Sequence, residues 1–198
     1  MDASGLPDPL VPSEVDLTDF QYMELDVQKL RDSRFAAESE PEAFRAGVLL
    51  WCASWHQVPA SSLPNNDREL SNLAGFGRVV KEWKKVREQA LALFVLCSDG
   101  RLYHRIVAEK AMTAWNSKLL HHYDRARDRL RKLNKQRENQ HLTPLPEISF
   151  HAWNAQRLEF AHHPIRSSGD ILDHADQRWP DDLSHVLPVV AQLVCCLI

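Results

Sequence analysis

Six glycines in 198 residues leave little material for phosphate-binding loops. Only Gly75 and Gly77 stand close together, in "AGFGRVV". A P-loop would end in Gly-Lys-Ser/Thr, and a dinucleotide fingerprint would place a third glycine after a strand. Here Arg78 follows Gly77 and a short helical pattern precedes the pair, so neither nucleotide loop is expected. Cysteine is scarce too: Cys52, Cys97, Cys195 and Cys196 include no CxxC pair, which leaves no disulfide framework and no cysteine metal spacing. The first residues, "MDASGLPDPLVPSEVD", carry no apolar core behind basic residues, so a reducing, cytoplasmic setting without a secretory leader is expected.

Catalytic patterns are equally thin. There is no HExxH, no GxSxG and no pair of carboxylates on an ordered element, so no catalytic residue, no metal and no cofactor is expected. Cys52, on an apolar helix face, and Cys97, on a strand, read as small packing residues. His121 and His122 beside Asp124, and the evenly spaced His163, His174 and His185, match no metal-ligand spacing and read as structural or incidental. The terminal "CCLI" mimics a prenylation box, but Ile is not a usual last residue. The apolar end is also shorter than the roughly 20 residues of a membrane span, so no membrane partner is expected.

What the chain does have is a hydrophobic fraction of 44%, six Trp, and a charge that is badly distributed. The net charge of -3 hides 5 Lys+Arg against 13 Asp+Glu in residues 1–77, 16 against 6 in residues 78–137, and 3 against 8 in residues 138–198. One central block is therefore basic between acidic flanks, which favours a polyanionic partner for that block alone.

Periodicity divides the chain further. Residues 1–22 lack any and read as an arm. Residues 23–106 hold the landmarks of one domain. After an ambiguous stretch around Leu25, Val27 and Leu30, "SEPEAFRAGVLLWCASW" reads as a helix. Ser39 is its cap, Pro41 lies in its first turn, and its apolar face carries Phe44, Val48, Trp51 and Trp55. Asn66 with Glu69 three residues on reads as a capping box for a short helix that Gly75 ends. Residues 77–91 read as a third helix, with Val79, Val80, Trp83, Val86 and Ala90 on one side and Arg78, Lys81 and Lys85 almost opposite. "LFVLCSDGRLYHRIV" then changes to strand period around Asp99-Gly100, a favoured hairpin turn. Residues 107–140 read as a long basic amphipathic helix with Ala111, Trp115, Leu119, Tyr123, Ala126, Leu130 and Leu133 along one side. Residues 141–198 read as an acidic tail without firm periodicity.

Helix, short helix, turn, basic helix, hairpin, helix is the order of a winged helix-turn-helix, so the expected fold is mainly α with a small β-hairpin. In that plan the third helix enters a groove and the hairpin reaches a phosphate. The candidate DNA contacts are Arg78, Lys81, Lys84 and Lys85 on the helix, Arg101, His104 and Arg105 on the second hairpin strand, and Arg125, Arg129 and Lys132 on the long helix. No Asn or Gln stands in the first turn of the third helix to read adenine. The other reading is a protein-interaction module, an adaptor, regulator or host-directed factor. It would dock a partner or a second copy, as a homodimer, on Trp115, Leu119, Tyr123 and Leu130.

The landmarks Trp55-x-Gln57-x-Pro59, Ser62-Leu63-Pro64, Asp67, Leu70, Ala74-Gly75, Trp83, Phe94, Asp99-Gly100 and His104 resemble the YdaU-like family, a phage- and prophage-associated domain of unknown function. The resemblance covers roughly residues 20 to 120. It implies similarity to winged-helix replication proteins of temperate phages, which recognise an origin or recruit a helicase or its loader, in a bacterial or phage-infected cell. It brings no catalytic residues.

Overall fold

The computed structural model describes residues 5–162, with side chains to residue 158. The chain is mainly helical with a small three-stranded antiparallel sheet, and it divides into two compact units, Met1–Asn116 and Ser117–Ile198.

In the first unit two short helices come first. α1 (Val27–Arg31) starts where Asp26 accepts the amide of Lys29, and α2 (Arg34–Glu38) where Ser33 accepts that of Ala36. Residues 20–26 ahead of them form no regular element. α3 (Pro41–Trp55) follows, with proline in its first turn as expected. Its cap differs from the sequence expectation. Ser39 closes α2, and Glu40 takes the N-cap position of α3 without a side-chain bond while its own amide donates to Gln89 Oε1 at 2.9 Å.

The buried face of α3 is also rotated from the one that periodicity selects. Ala43, Ala46, Gly47, Leu50, Trp51, Ser54 and Trp55 are buried, while Phe44 and Val48 lie at the margin and Cys52 is exposed. Gly47 explains the rotation. A Cβ there would stand 2.5 Å from Phe35 Cζ and 3.2 Å from the carbonyl oxygen of Ala90, so the missing side chain lets Phe35 and the third-helix backbone close on that face. Cys97 is buried, in keeping with a packing role.

β1 (Ser62–Pro64) was not signalled by the sequence. It pairs antiparallel with β3 (Arg101–His104), whose other edge carries β2 (Phe94–Leu96), giving the order β1-β3-β2. Proline at the end of an edge strand costs the ladder nothing. Between β1 and the hairpin lie α4 (Asp67–Leu73) and α5 (Val80–Ala90). Asn66 caps α4 by accepting the Arg68 amide at 2.9 Å, and Gly75, at φ 83°, turns the chain out of it. Ser71 Oγ donates to the Gly77 carbonyl at 2.8 Å and fixes the turn, so α5 starts at Val80, later than the glycines suggest.

Ala46, Leu50, Leu63, Leu70, Ala74, Trp83, Ala90, Leu91 and Leu102 form the core that joins α3, α4, α5 and the sheet. The first residues are more than an arm. Val11, Val15 and Leu17 are buried, Val15 carbonyl accepts from the Ala60 amide at 2.8 Å, and Pro7 carbonyl accepts from Ser98 at 2.9 Å.

α6 (Arg105–Asn139) gives its residues from Ser117 onward to the second unit, where α7 (Phe150–His162) lies. The sequence pattern places no helix beyond Pro144, because α7 has no amphipathic period to announce it. Residues 142–149 run along α6, held by its polar side chains. Asn134 Nδ2 donates to Leu145 carbonyl at 2.9 Å while its Oδ1 accepts from Leu145 amide at 2.7 Å. Arg137 donates to Thr143 carbonyl and the Tyr123 hydroxyl to that of Ile148. Tyr123, Phe150 and Trp153 then stack with centroids 5.6 to 6.1 Å apart. The series His163, His174 and His185, with Cys195, Cys196 and the terminal "CCLI", lies outside the described residues.

Trp83 is fully buried at the centre of the first unit. Trp83→Ala is expected to cost about 3 to 5 kcal/mol in urea unfolding, and Trp83→Phe distinctly less.

Candidate nucleic-acid interface

The burial of Trp83 fixes the rotation of α5. Its indole Nε1 donates to Asp67 Oδ1 at 3.2 Å, and the same carboxylate accepts from Arg87 Nε at 2.8 Å. Desolvation pushes the Asp67 pKa up, but these hydrogen bonds and the charges of Arg87 and Lys84 outweigh it, and the carboxyl ends below its usual range. Asp67 is therefore an anion at neutral pH, bridging the first turn of α4 to the middle of α5. No spacing rule announces a bond across 16 to 20 residues. The usable signal was a tryptophan expected in the core, whose N–H then requires an acceptor.

Opposite Trp83, at about 100° per residue, stand Lys81 and Lys85, whereas Arg78 lies ahead of the helix, where that count does not apply. Arg78 precedes the first residue of α5 and Lys81 is in its first turn; both are exposed, and among the described residues neither side chain forms a hydrogen bond or an ion pair. Lys85 pairs with Glu82 at 2.6 Å and Lys84 with Asp67 at 3.7 Å. Such exposed pairs contribute about 1 kcal/mol or less, so a phosphate can take either lysine at small cost. Arg87 differs, because it also donates to Asn65 Oδ1 at 3.2 Å and serves to hold α4 to α5.

The hairpin offers less cation than the sequence pattern suggests. Arg101 lies half-buried across the sheet, its Nε donating to Ser62 Oγ at 2.8 Å and its second nitrogen to Gln57 Oε1 at 3.5 Å. Arg105 is exposed but opens α6, since β3 ends at His104. His104 is corrected outright as a wing cation. It is 1% exposed, between the Trp51 and Phe94 rings with centroids 4.6 and 5.0 Å away. At the turn itself stands an acid, Asp99, which accepts from the Tyr103 hydroxyl at 2.6 Å and from the Arg101 amide.

In the second unit the positive charge is denser. Residues 78–116 hold 8 Lys+Arg against 4 Asp+Glu, and residues 117–137 hold 8 against 2, so more than half of the central excess falls on α6. Its acids are matched with two arginines, Asp124 with Arg127 at 3.0 Å and Asp128 with Arg131 at 3.6 Å. Arg125 and Lys132 are exposed and form no ion pair among the described residues, while Arg129 is half-buried.

The residues expected to meet a partner protein lie elsewhere. Trp115, Leu119 and Leu130 are 8, 6 and 5% exposed, and Tyr123 is engaged by Ile148, Phe150 and Trp153. The apolar stripe of α6 is thus covered within the chain. Among the described residues no group of three His, Cys, Asp or Glu is placed to hold a metal ion, and no helix is long and apolar enough to cross a membrane.

Residues 21–111, which span the elements from α1 to the start of α6, match the family described as "Protein of unknown function (DUF1376)". No curated protein and no solved structure matches the chain.

Burial lowers the His104 pKa from 6.5 to about 4. The unfolded imidazole takes up its proton near pH 6.5, whereas the folded ring stays neutral down to about pH 4, so protons favour unfolding in that window. The stabilisation is complete above about pH 6.5 and falls by about 3 kcal/mol as pH drops to about 4. Unfolding midpoints measured at pH 7 and pH 4.5 are expected to differ far less in a His104→Phe variant than in the natural chain. An equal difference would place the acid sensitivity in another group.

Proposed function

We propose that the protein is a winged-helix DNA-binding protein that holds duplex DNA through the outer face of α5. The observation that carries this reading is the pair Arg78 and Lys81, exposed and uncommitted to any acid, with Lys81 aimed away from the core by Trp83. The element order supports it. α3, β1, α4 and α5, then the β2-β3 hairpin with β1 on the free edge of β3, follow the plan in which the third helix is offered to the major groove. An α-helix about 10 to 12 Å across fits a groove about 12 Å wide.

The chemistry is mostly that of phosphate contact. Lysine and arginine without an adenine-reading amide in the first turn give affinity and register more than base discrimination. Arg105, Arg125 and Lys132 extend the supply of cations, whereas Arg101 and Arg87 are occupied in holding the fold. The resemblance to phage replication proteins adds a context, a non-enzymatic accessory role beside a helicase or its loader. Docking of a partner or a second copy on Trp115, Leu119 and Leu130 is disfavoured, because it would first have to displace what already covers them.

Fluorescence anisotropy with a labelled duplex of about 20 base pairs tests the reading. The natural chain is expected to bind at low salt, with an affinity that falls steeply as salt rises. Arg78→Ala with Lys81→Ala is expected to weaken binding and to reduce the slope of log K against log salt by about 2, roughly one for each phosphate that is no longer neutralised. Absence of binding by the natural chain, or an unchanged slope in the double variant, would overturn it.

A further inference from the structure

The second unit carries a row of cations of its own. At about 100° per residue, Lys118, Arg125, Arg129 and Lys132 of α6 fall within about 60° of one another. At the helical rise of about 1.5 Å per residue the row is about 21 Å long. No acid of residues 117–137 falls in that sector. The two acids of the segment, Asp124 and Asp128, stand outside it, and each is paired with the arginine three residues on, at 3.0 and 3.6 Å.

The packing of the unit leaves this row open. Leu119, Ala126 and Leu130, which are buried, stand on another side of α6. Tyr123, Asn134 and Arg137, whose side chains hold residues 142–149, are about 120° or more around the helix from Arg125. Arg125 and Lys132 are exposed, and among the described residues their side chains form no ion pair; Lys118 and Arg129 are half-buried beside them.

We propose that the second unit is a separate duplex-binding body, which lays the row from Lys118 to Lys132 along the phosphates of one DNA strand. The proposal rests on the reading of DNA as the partner but on no contact made by α5. Charge complementarity selects a polyanion, and the rest of the unit narrows the choice. A single strand is held by stacking its bases on free rings, whereas Tyr123, Phe150 and Trp153 are stacked on one another with centroids 5.6 to 6.1 Å apart. A lipid surface takes an amphipathic helix by its apolar face, and that face of α6 is already buried. What is left is a straight row of cations as long as about six phosphate steps of one duplex strand, at about 3.4 Å each. Such a contact adds affinity without base preference.

The test is fluorescence anisotropy of the full chain on a labelled duplex of about 20 base pairs, with log K followed against log salt. Four variants are compared: Arg125→Gln with Lys132→Gln; Arg78→Ala with Lys81→Ala; all four substitutions together; and, as a control for net charge, Lys29→Gln with Arg34→Gln, which removes two exposed cations from α1 and α2. The α6 pair is expected to reduce the slope by about 2, and by about 2 again in the α5 background, while the control leaves it unchanged. An unchanged slope in the α6 pair would overturn the proposal, as would an equal loss in the control. Tighter binding of a single strand of the same length would overturn it too. Loss of slope in the α6 pair with none in the α5 pair supports this surface and overturns the α5 reading; the reverse result overturns this surface alone. Absence of binding by the natural chain overturns both.

Discussion

Trp83 lies fully buried in the core that joins α3, α4, α5 and the sheet, and its one polar atom reaches Asp67 at 3.2 Å. The same carboxylate takes Arg87, so a single anion ties the start of α4 to the middle of α5. The rotation of α5 about its own axis is set by this anchor. With Trp83 inward, Lys81 and Lys85 can only face outward. Hydrophobic burial supplies most of the energy and the hydrogen bonds supply the direction, since the indole N–H must find its acceptor once it leaves water.

β3 plays the matching part for the sheet. It is the central strand, with β1 and β2 on its two edges, and its last residue, His104, turns a neutral ring between Trp51 and Phe94 while its Nδ1 receives the first turn of α6. A polar side chain in that position costs free energy that an aliphatic one would not. The hydrogen bond from the Val107 amide recovers part of it. Strand end and helix start are in this sense one construction.

The parts of this fold that were legible in the sequence are those with local causes. α3 and α5 carry clear helical periods, α6 sustains one over its length, and Asp99-Gly100 names the hairpin. β1 was not legible, because three residues give no period and its partner is about 40 residues away in β3. α7 and the strap before it depend on Tyr123 and Asn134 of α6, again contacts that no window on the sequence contains. The rotated face of α3, with Cys52 outside, follows from the approach of Phe35 and Ala90 to Gly47, a packing fact rather than a pattern. The candidate contacts divide the same way. Lys81 and Lys85 could be placed on an outward face by counting, whereas the ties of Arg101 to Ser62 and of Lys84 to Asp67, and the burial of His104, arise only when distant segments meet.

The central claim is that the outward face of α5 is the surface that meets DNA. Amide chemical shifts of the isotopically labelled chain, followed as an unlabelled duplex is added, test it most directly. The largest shifts in the first unit are expected to cluster on residues 77–85, with the buried face near Leu70 and Leu102 little moved. Shifts concentrated on α3 or on residues 5–20, with residues 77–85 silent, would contradict it.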